Sequence, residues 1–453
     1  MSKNNSNTQG LTEGFAQHSY EDWLAEATRS LKGRNIADLQ HATADGINIE
    51  VIYAAADASA IAGMPCSAPK IISAVAEVDP AAANAALLAE LEGGADGIAL
   101  QFGTHGQPGL PVSGAAIETA IADVLLDAAS LSLDLGSGDW PQALEAIRPL
   151  VQRVAEKSGH LNINADPIGL VVGSQAQDPA DAIGAKLGTD LSTLAEFASQ
   201  LKDRPGINLF SASGIPAHEA GATEAQELAA MLVSGTAYLR ALDGAGHAPA
   251  KAMGWIALEM AADTEIFVNI AKLRAARALW ARVAELCGTT ARPSLHVRSS
   301  ARMMAKADVH TNMLRTTTAA LAAGLGGADS LTVLPFTHGL GKPDNLGRRV
   351  ARNTMNILGQ ESFVGAVSDP ALGSGLVESL TESLAEAAWK LFQAVEAAGG
   401  GTAPGSARLL TDAITTNRDA RDADLKSGAR IAVGVNAFVN DADIPPQVEP
   451  WPQ

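Results

Sequence analysis

Residues 130–136 read SLSLDLG, and the way their side chains divide decides the fold. Leu131, Leu133 and Leu135 alternate with Ser130, Ser132 and Asp134. Successive side chains of a strand point to opposite faces, so one face is wholly apolar and the other small and hydrophilic. LNINAD (161–166) repeats the division, with Leu161, Ile163 and Ala165 on one side and Asn162, Asn164 and Asp166 on the other. GIALQFG (97–103) sets Gly97, Ala99, Gln101 and Gly103 against Ile98, Leu100 and Phe102. WIALEMA (255–261) sets Trp255, Ala257 and Glu259 against Ile256, Leu258 and Met260. SLHVRSS (294–300) contributes His296 and Arg298 to the hydrophilic side, and SLTVLPF (330–336) contributes Ser330 and Thr332.

With IISAVAEV (71–78) and INLFSAS (207–213) these runs make eight strand candidates. Helical stretches separate them, among them 80–92, 140–157, 223–242, 264–287, 312–324 and 345–360. Eight such repeats predict a (β/α)8 TIM barrel, with an open doubly wound sheet as the alternative. The alternative lacks support, because neither GxGxxG nor a GxxxxGK[ST] loop occurs. In the barrel the apolar faces meet the helices and the hydrophilic faces point inward. Barrel interiors are ordinarily layers of branched aliphatics. A buried polar group left unpaired costs about 1–3 kcal/mol. The expectation is therefore an axial channel in which water, a ligand or a hydrogen-bond network satisfies these groups.

Residues 1–69 read as an N-terminal arm and linker, 70–400 as the barrel, and 401–453 as a C-terminal extension. The arm includes a short helix near 21–31, and a helix over 377–398 stops at the glycines that follow. RIAVGVNAF (430–438) reads as one last strand.

The chain has 453 residues, 47% of them hydrophobic and 18% charged, a globular composition. A net charge of −18 without a basic run argues against nucleic acid as a partner. The first twenty residues lack an apolar signal core, and no eighteen-residue apolar run suggests a membrane span. Two isolated cysteines, Cys66 and Cys287, fit a reduced cytoplasmic setting.

Longer segments resemble one family. AKLRAARALWARV (271–283), NMLRTTTAALAAGLGGADSLTVLPF (312–336), RRVARNTMNIL (348–358), DPALGS (369–374) and RIAVGVNAF are similar to methylmalonyl-CoA mutase, and TADGINIEVIY (43–53) to its TxDGIxIxPLY segment. The resemblance implies a barrel threaded along its axis by the pantetheine of an acyl-CoA. It also implies a separate flavodoxin-like domain carrying adenosylcobalamin through DxHxxG, and radical interconversion of methylmalonyl-CoA and succinyl-CoA.

The departures from that pattern matter more. Where catalytic chains of the family read SGYHxQEAGA, this chain reads SGIPAHEAGA, with Ile215 and Pro216 in the places of the Tyr-His pair and His218 offset by two. SAIAGMPCSAPK (59–70) stands for an aromatic- and arginine-rich substrate-gripping segment, and SLTVLPFTHGL for SLHTNxxDEA. No flavodoxin-like domain is expected, and the nearest echo of DxHxxG, Asp308 to Met313, lacks the glycine. The resemblance is therefore to the small, non-catalytic subunit of heterodimeric mutases. It implies a large catalytic partner and a cofactor, adenosylcobalamin, held by the assembled enzyme rather than by this chain. Two alternatives stand beside it: the substrate-binding half of a split mutase that needs a separate cobalamin-binding chain, or a stand-alone acyl-CoA binding protein.

The candidate catalytic residues are His218 and Glu219, able to polarise a carbonyl or carry a proton, or else a local hydrogen-bonded pair. The candidate substrate-binding residues are Arg298, Arg315, His338 and Asn164; for Arg298 and Arg315 the alternative is internal ion pairing, with Asp134, Asp166 or Glu259 as partners. Lys272, Arg274, Arg277 and Arg282 read as a solvated or subunit-facing helix surface. Arg348, Arg349 and Arg352 read as a helix surface or as contacts for CoA phosphates.

Overall fold

The structure is a computed structural model. It describes residues 18–451 except 104–108, 137–138, 175–179, 202–203, 404, 441 and 443, together with residues 14 and 16. The start of the N-terminal arm, residues 1–17, lies almost wholly outside the described residues.

Eight parallel strands close into a barrel. They are β1 (Lys70–Val75), β2 (Gly97–Gln101), β3 (Ser130–Asp134), β4 (Leu161–Ala165), β5 (Ile207–Ser213), β6 (Ile256–Ala262), β7 (Leu295–Ser299) and β8 (Ser330–Thr332). Closure is made by β8 pairing with both β1 and β7. The open-sheet alternative is thereby excluded. The faces expected to meet the helices do so: Ile98, Leu100, Leu131, Leu133, Leu161, Ile163, Leu258, Met260, Leu295, Val297 and Leu331 are all buried in the core.

The helices start where the sequence supplies caps. Asp79, Asp139 and Asp344 each accept an amide of the first turn, opening Pro80–Glu92, Trp140–Glu156 and Asn345–Gln360. Thr223 and Gln226 form a reciprocal capping box at the head of Glu224–Gly244. Gly235 lets that helix approach Trp280 of Ile266–Leu286, because a Cβ there would collide with the indole ring.

Four features differ from the sequence reading. Segment 430–438 forms turns with one isolated bridge, Val433 to Ala437, and is not a strand. A helix, Ser406–Ser427, occupies much of the C-terminal extension. Trp255 lies outside the bore, in a 3-10 turn before β6 with its ring edge-on to His247 at 5.0 Å. Lys272, Arg274 and Arg277 are buried, and only Arg282 of that group reaches solvent. Arg274 is held by Asp369 at 3.0 Å and Glu378 at 2.7 Å, which pins the outer helix Gly375–Ala397 to Ile266–Leu286. Arg277 reaches Asp329 at 2.8 Å.

Candidate functional site

The hydrophilic strand faces enclose a pocket of about 490 Å³. Lys70, Ser130, His160, Gly206, Ser294 and Ser330 place its opening at the amino-terminal ends of the strands. Deeper walls are Ser132, Asn162, Asn164, Asn208, Ala257, Glu259 and His296. The polar groups answer one another across strands. Asn208 Nδ2 donates to Asn162 Oδ1 at 2.8 Å, and Asn162 Nδ2 to Ser132 Oγ at 3.3 Å. His296 Nδ1 pairs with Ser330 Oγ at 2.9 Å. Burial, helped by the Arg298 charge, lowers His296 to about 4, so the ring is neutral.

Asn164 lines this pocket with φ +52°, a conformation asparagine tolerates better than most residues. It sits in an irregularity where the β4–β5 register shifts between Asn162 and Ala165. The expected inward direction of Asp166 fails just beyond. Its carboxyl caps the next helix through the Gly169 amide at 3.0 Å and accepts the hydroxyl of Tyr238 from the outer layer. Burial raises Asp166 to about 7, against the pull of Tyr238.

Toward the carboxyl-terminal ends of the strands the bore becomes charged. Arg298 donates to Glu219 at 3.3 Å, and its charge acts on Asp134 and Glu259. Burial raises both of those carboxyls, and Arg298 draws them partly back. The hydroxyls of Ser211 and Ser213 also face Glu259 and draw it down. His338, after β8, is lowered by burial and by Arg298, and its carbonyl accepts the Trp451 indole N–H at 3.4 Å. Arg315 stands apart: it bonds Asn312 Oδ1 at 2.7 Å and the Val433 carbonyl at 2.6 Å. Arg352 is taken by Glu90 at 2.6 Å.

A short helix, Ile215–Ala220, follows β5. It buries His218 completely. Nε2 lies 2.8 Å from Ser300 Oγ and Nδ1 lies 3.1 Å from Glu227 Oε2. The order Ser–His–Glu matches a nucleophile, base and orienting acid. All three side chains are sealed from solvent, however, and Glu227 is also taken by Lys272 at 2.6 Å and by the Ala261 amide at 2.6 Å. Burial and Arg302 lower His218, so the imidazole is neutral, with Nδ1–H toward Glu227 and Nε2 accepting from Ser300. Burial would raise Glu227, but the Lys272 charge and the hydrogen bond from His218 hold it down at about 2. Glu219 accepts the Ala301 and Arg302 amides, each at 2.9 Å. Burial opposes its ionisation, and Arg298 and those amides overcome it. His218 and Glu219 thus tie the ends of β5, β6 and β7 together, and His218 meets no open space.

The Asp308–Met313 segment does not fit a corrinoid-ligating loop. His310, in the echo of DxHxxG, sits in a single 3-10 turn and stacks on Phe336 at 5.5 Å. Asp308 accepts from Thr311 Oγ1 at 2.6 Å. Among the described residues there is no second parallel sheet to present such a loop.

A closed parallel barrel with a hydrophilic, ligand-sized axial pocket defines the class: a (β/α)8 barrel protein with an axial binding site. A family model described as methylmalonyl-CoA mutase matches residues 106–451. The chain is 38% identical to the methylmalonyl-CoA mutase small subunit of Streptomyces virginiae, over 98% of this chain and 74% of that one. It is 34% identical to a probable methylmalonyl-CoA mutase small subunit of Mycobacterium tuberculosis, over 88% of this chain and 66% of that one. It is 31% identical to the small subunit of Propionibacterium freudenreichii subsp. shermanii, over 92% of this chain and 67% of that one. The chain belongs to the methylmalonyl-CoA mutase family, a family of isomerases, and spans two thirds to three quarters of the length of these relatives. Among the described residues no helix is long and apolar enough to cross a membrane.

Proposed function

We propose that this chain is the small, non-catalytic subunit of an adenosylcobalamin-dependent, cytoplasmic methylmalonyl-CoA mutase. It pairs with a large subunit that performs the chemistry and holds the cofactor. One observation carries the reading: Ile215 and Pro216 fill the places of the family's Tyr-His pair, and the nearby His218 is sealed in a hydrogen-bonded cluster. The names of the relatives support the same role.

In this reading His218 and Glu219 are structural, and Asn164 belongs to the pocket wall. Arg298 is engaged by acids of the bore rather than free for a substrate carboxylate. His338 closes the β8 side of the carboxyl-terminal face, and Arg315 holds the segment around Val433. The N-terminal arm and exposed barrel helices form the contact with the large subunit.

The test is co-expression with a methylmalonyl-CoA mutase large subunit, co-purification, and a mutase assay with and without this chain. A stable complex, active only through the large subunit, is expected. Turnover by this chain with a cobalamin-binding chain alone would overturn the reading.

A further inference from the structure

The N-terminal linker folds a small hairpin, His41–Ala42 paired with Asn48–Ile49, against the barrel. Its turn is closed by Gly46 N–H to the Thr43 carbonyl and Thr43 N–H to the Ile47 carbonyl, both 2.9 Å. Ile47 and Ile49 pack on the core. Asp45, at the tip, accepts the Ala225 amide at 3.2 Å, at the head of Glu224–Gly244. A carboxylate is favoured at a helix N-terminus. This one, however, sits over other acids.

The charged groups facing that seat come from every element around it. The hairpin gives Asp45. The helix beneath gives Glu224 and Glu227, both buried. The end of β6 and the loop after it give Asp263, buried, and Glu265. Helix Ile266–Leu286 gives Lys272, whose ammonium is committed to Glu227 at 2.6 Å. At the edge His218 contacts Glu227, Arg302 approaches Asp263 at 3.7 Å, Arg430 pairs with Glu265 at 2.8 Å, and Arg421 acts on Asp263. Glu224 is the buried acid that feels the charges of Asp263, Asp45 and Glu265, and the one cation acting on it, Lys272, is already bonded to Glu227.

We propose that the hairpin is a proton-gated latch: it seats on the barrel while Glu224 carries a proton, and ionisation of Glu224 beneath Asp45 loosens it. Burial supports this by raising Glu224 to about 8, with Asp263, Asp45 and Glu265 adding to the shift, and by raising Asp45. A carboxyl raised in the seated state binds more protons there than in the released state. Seating is therefore strongest below about 4.5, the ordinary value, and weakens as pH rises through about 8. The N-terminal segment comes free on the alkaline side. The latch is a property of this chain alone and stands whether or not the chain is a mutase subunit.

Hydrogen exchange of the full chain, corrected for intrinsic rates, tests it at pH 6, 7, 8 and 9. Protection of residues 43–49 and of the Ala225 amide is expected to fall at least about tenfold across that range, the limit for one proton being about tenfold per unit. Glu224→Gln is expected to give high protection that no longer depends on pH. Asp45→Asn, which removes the overlying charge, is expected to reduce the slope. Unchanging wild-type protection, or a full slope retained in Glu224→Gln, would overturn the latch.

Discussion

Replacing Lys272 by methionine keeps most of the side-chain volume and removes one charge from a dry site. In the native chain the Lys272 ammonium lies 2.6 Å from Glu227 Oε2, and both side chains are fully buried. Glu227 also anchors the His218 ring and the Ala261 amide. Without the ammonium the carboxyl has two poor choices. It stays ionised without compensation, or it takes a proton and gives up acceptor capacity that those partners use. Removing one member of a buried pair costs about 3–5 kcal/mol. That is a drop of roughly two to four powers of ten in the folded-to-unfolded ratio. The acid limb moves too. Glu227 is held below its ordinary 4.5, so its share of stability is complete above that value and lost as pH falls toward about 2. In Lys272→Met the carboxyl rises toward and past its ordinary value, so stability no longer falls with acid as it does in the native chain, and the deficit of the variant is largest at pH 7 and narrows at pH 4.5. Guanidinium denaturation at pH 7 and pH 4.5, followed by circular dichroism, reads both effects. The double variant Lys272→Met with Glu227→Gln should recover at least half of the loss, because no bare charge remains. A single-variant loss below about 1 kcal/mol would refute the claim that this pair sits in a low-dielectric core.

Two further outcomes follow from the same geometry. Tyr238→Phe strips a buried hydroxyl that donates to Asp166 and accepts the Ile168 amide at 3.3 Å, and should lower stability by about 1–3 kcal/mol, visible as a reduced melting temperature. Arg274→Lys keeps the charge but loses the planar fork shared by Asp369 and Glu378. Detachment of the outer helix Gly375–Ala397, seen as faster amide exchange there than in Ile266–Leu286, is the expected signature.

The barrel was legible because alternation in SLSLDLG and LNINAD is a two-residue signal that helices do not share. Its eight strands lie where the pattern set them, within a few residues at each end. Helices without a strong stripe were harder, and Gly114–Ala120, Ala180–Ala198 and Ile215–Ala220 carry mixed small and polar residues. The cations of AKLRAARALW misled because charge reads as surface. A signal was nevertheless present: Lys272 and Arg274 lie about 200° apart around a helix of 3.6 residues per turn, so one solvated face cannot hold both. At least one had to point inward and find acids, and the structure gives both buried partners. Asp166 was misplaced because alternation ends with the strand, and a capping carboxylate turns to the helix that follows.

The hydrophilic bore needs no ligand to be stable at its centre. Ser132, Asn162 and Asn208 form a ladder that pairs amide with amide and amide with hydroxyl, so little of the desolvation cost of those strand faces is left outstanding. The carboxyl-terminal half behaves differently. Arg298 there faces Glu219, Asp134 and Glu259, and burial holds the last two toward their neutral forms. A substrate carboxylate entering that space would have to compete with Glu219 for the guanidinium, and any charge it brought would push Asp134 and Glu259 further toward protonation. The amino-terminal half offers amides and hydroxyls to a polar ligand, while at the carboxyl-terminal half an incoming anion would have to displace Glu219 from Arg298. A pocket built in that way fits the proposed scaffold role of this chain, in which the partner would carry the reaction.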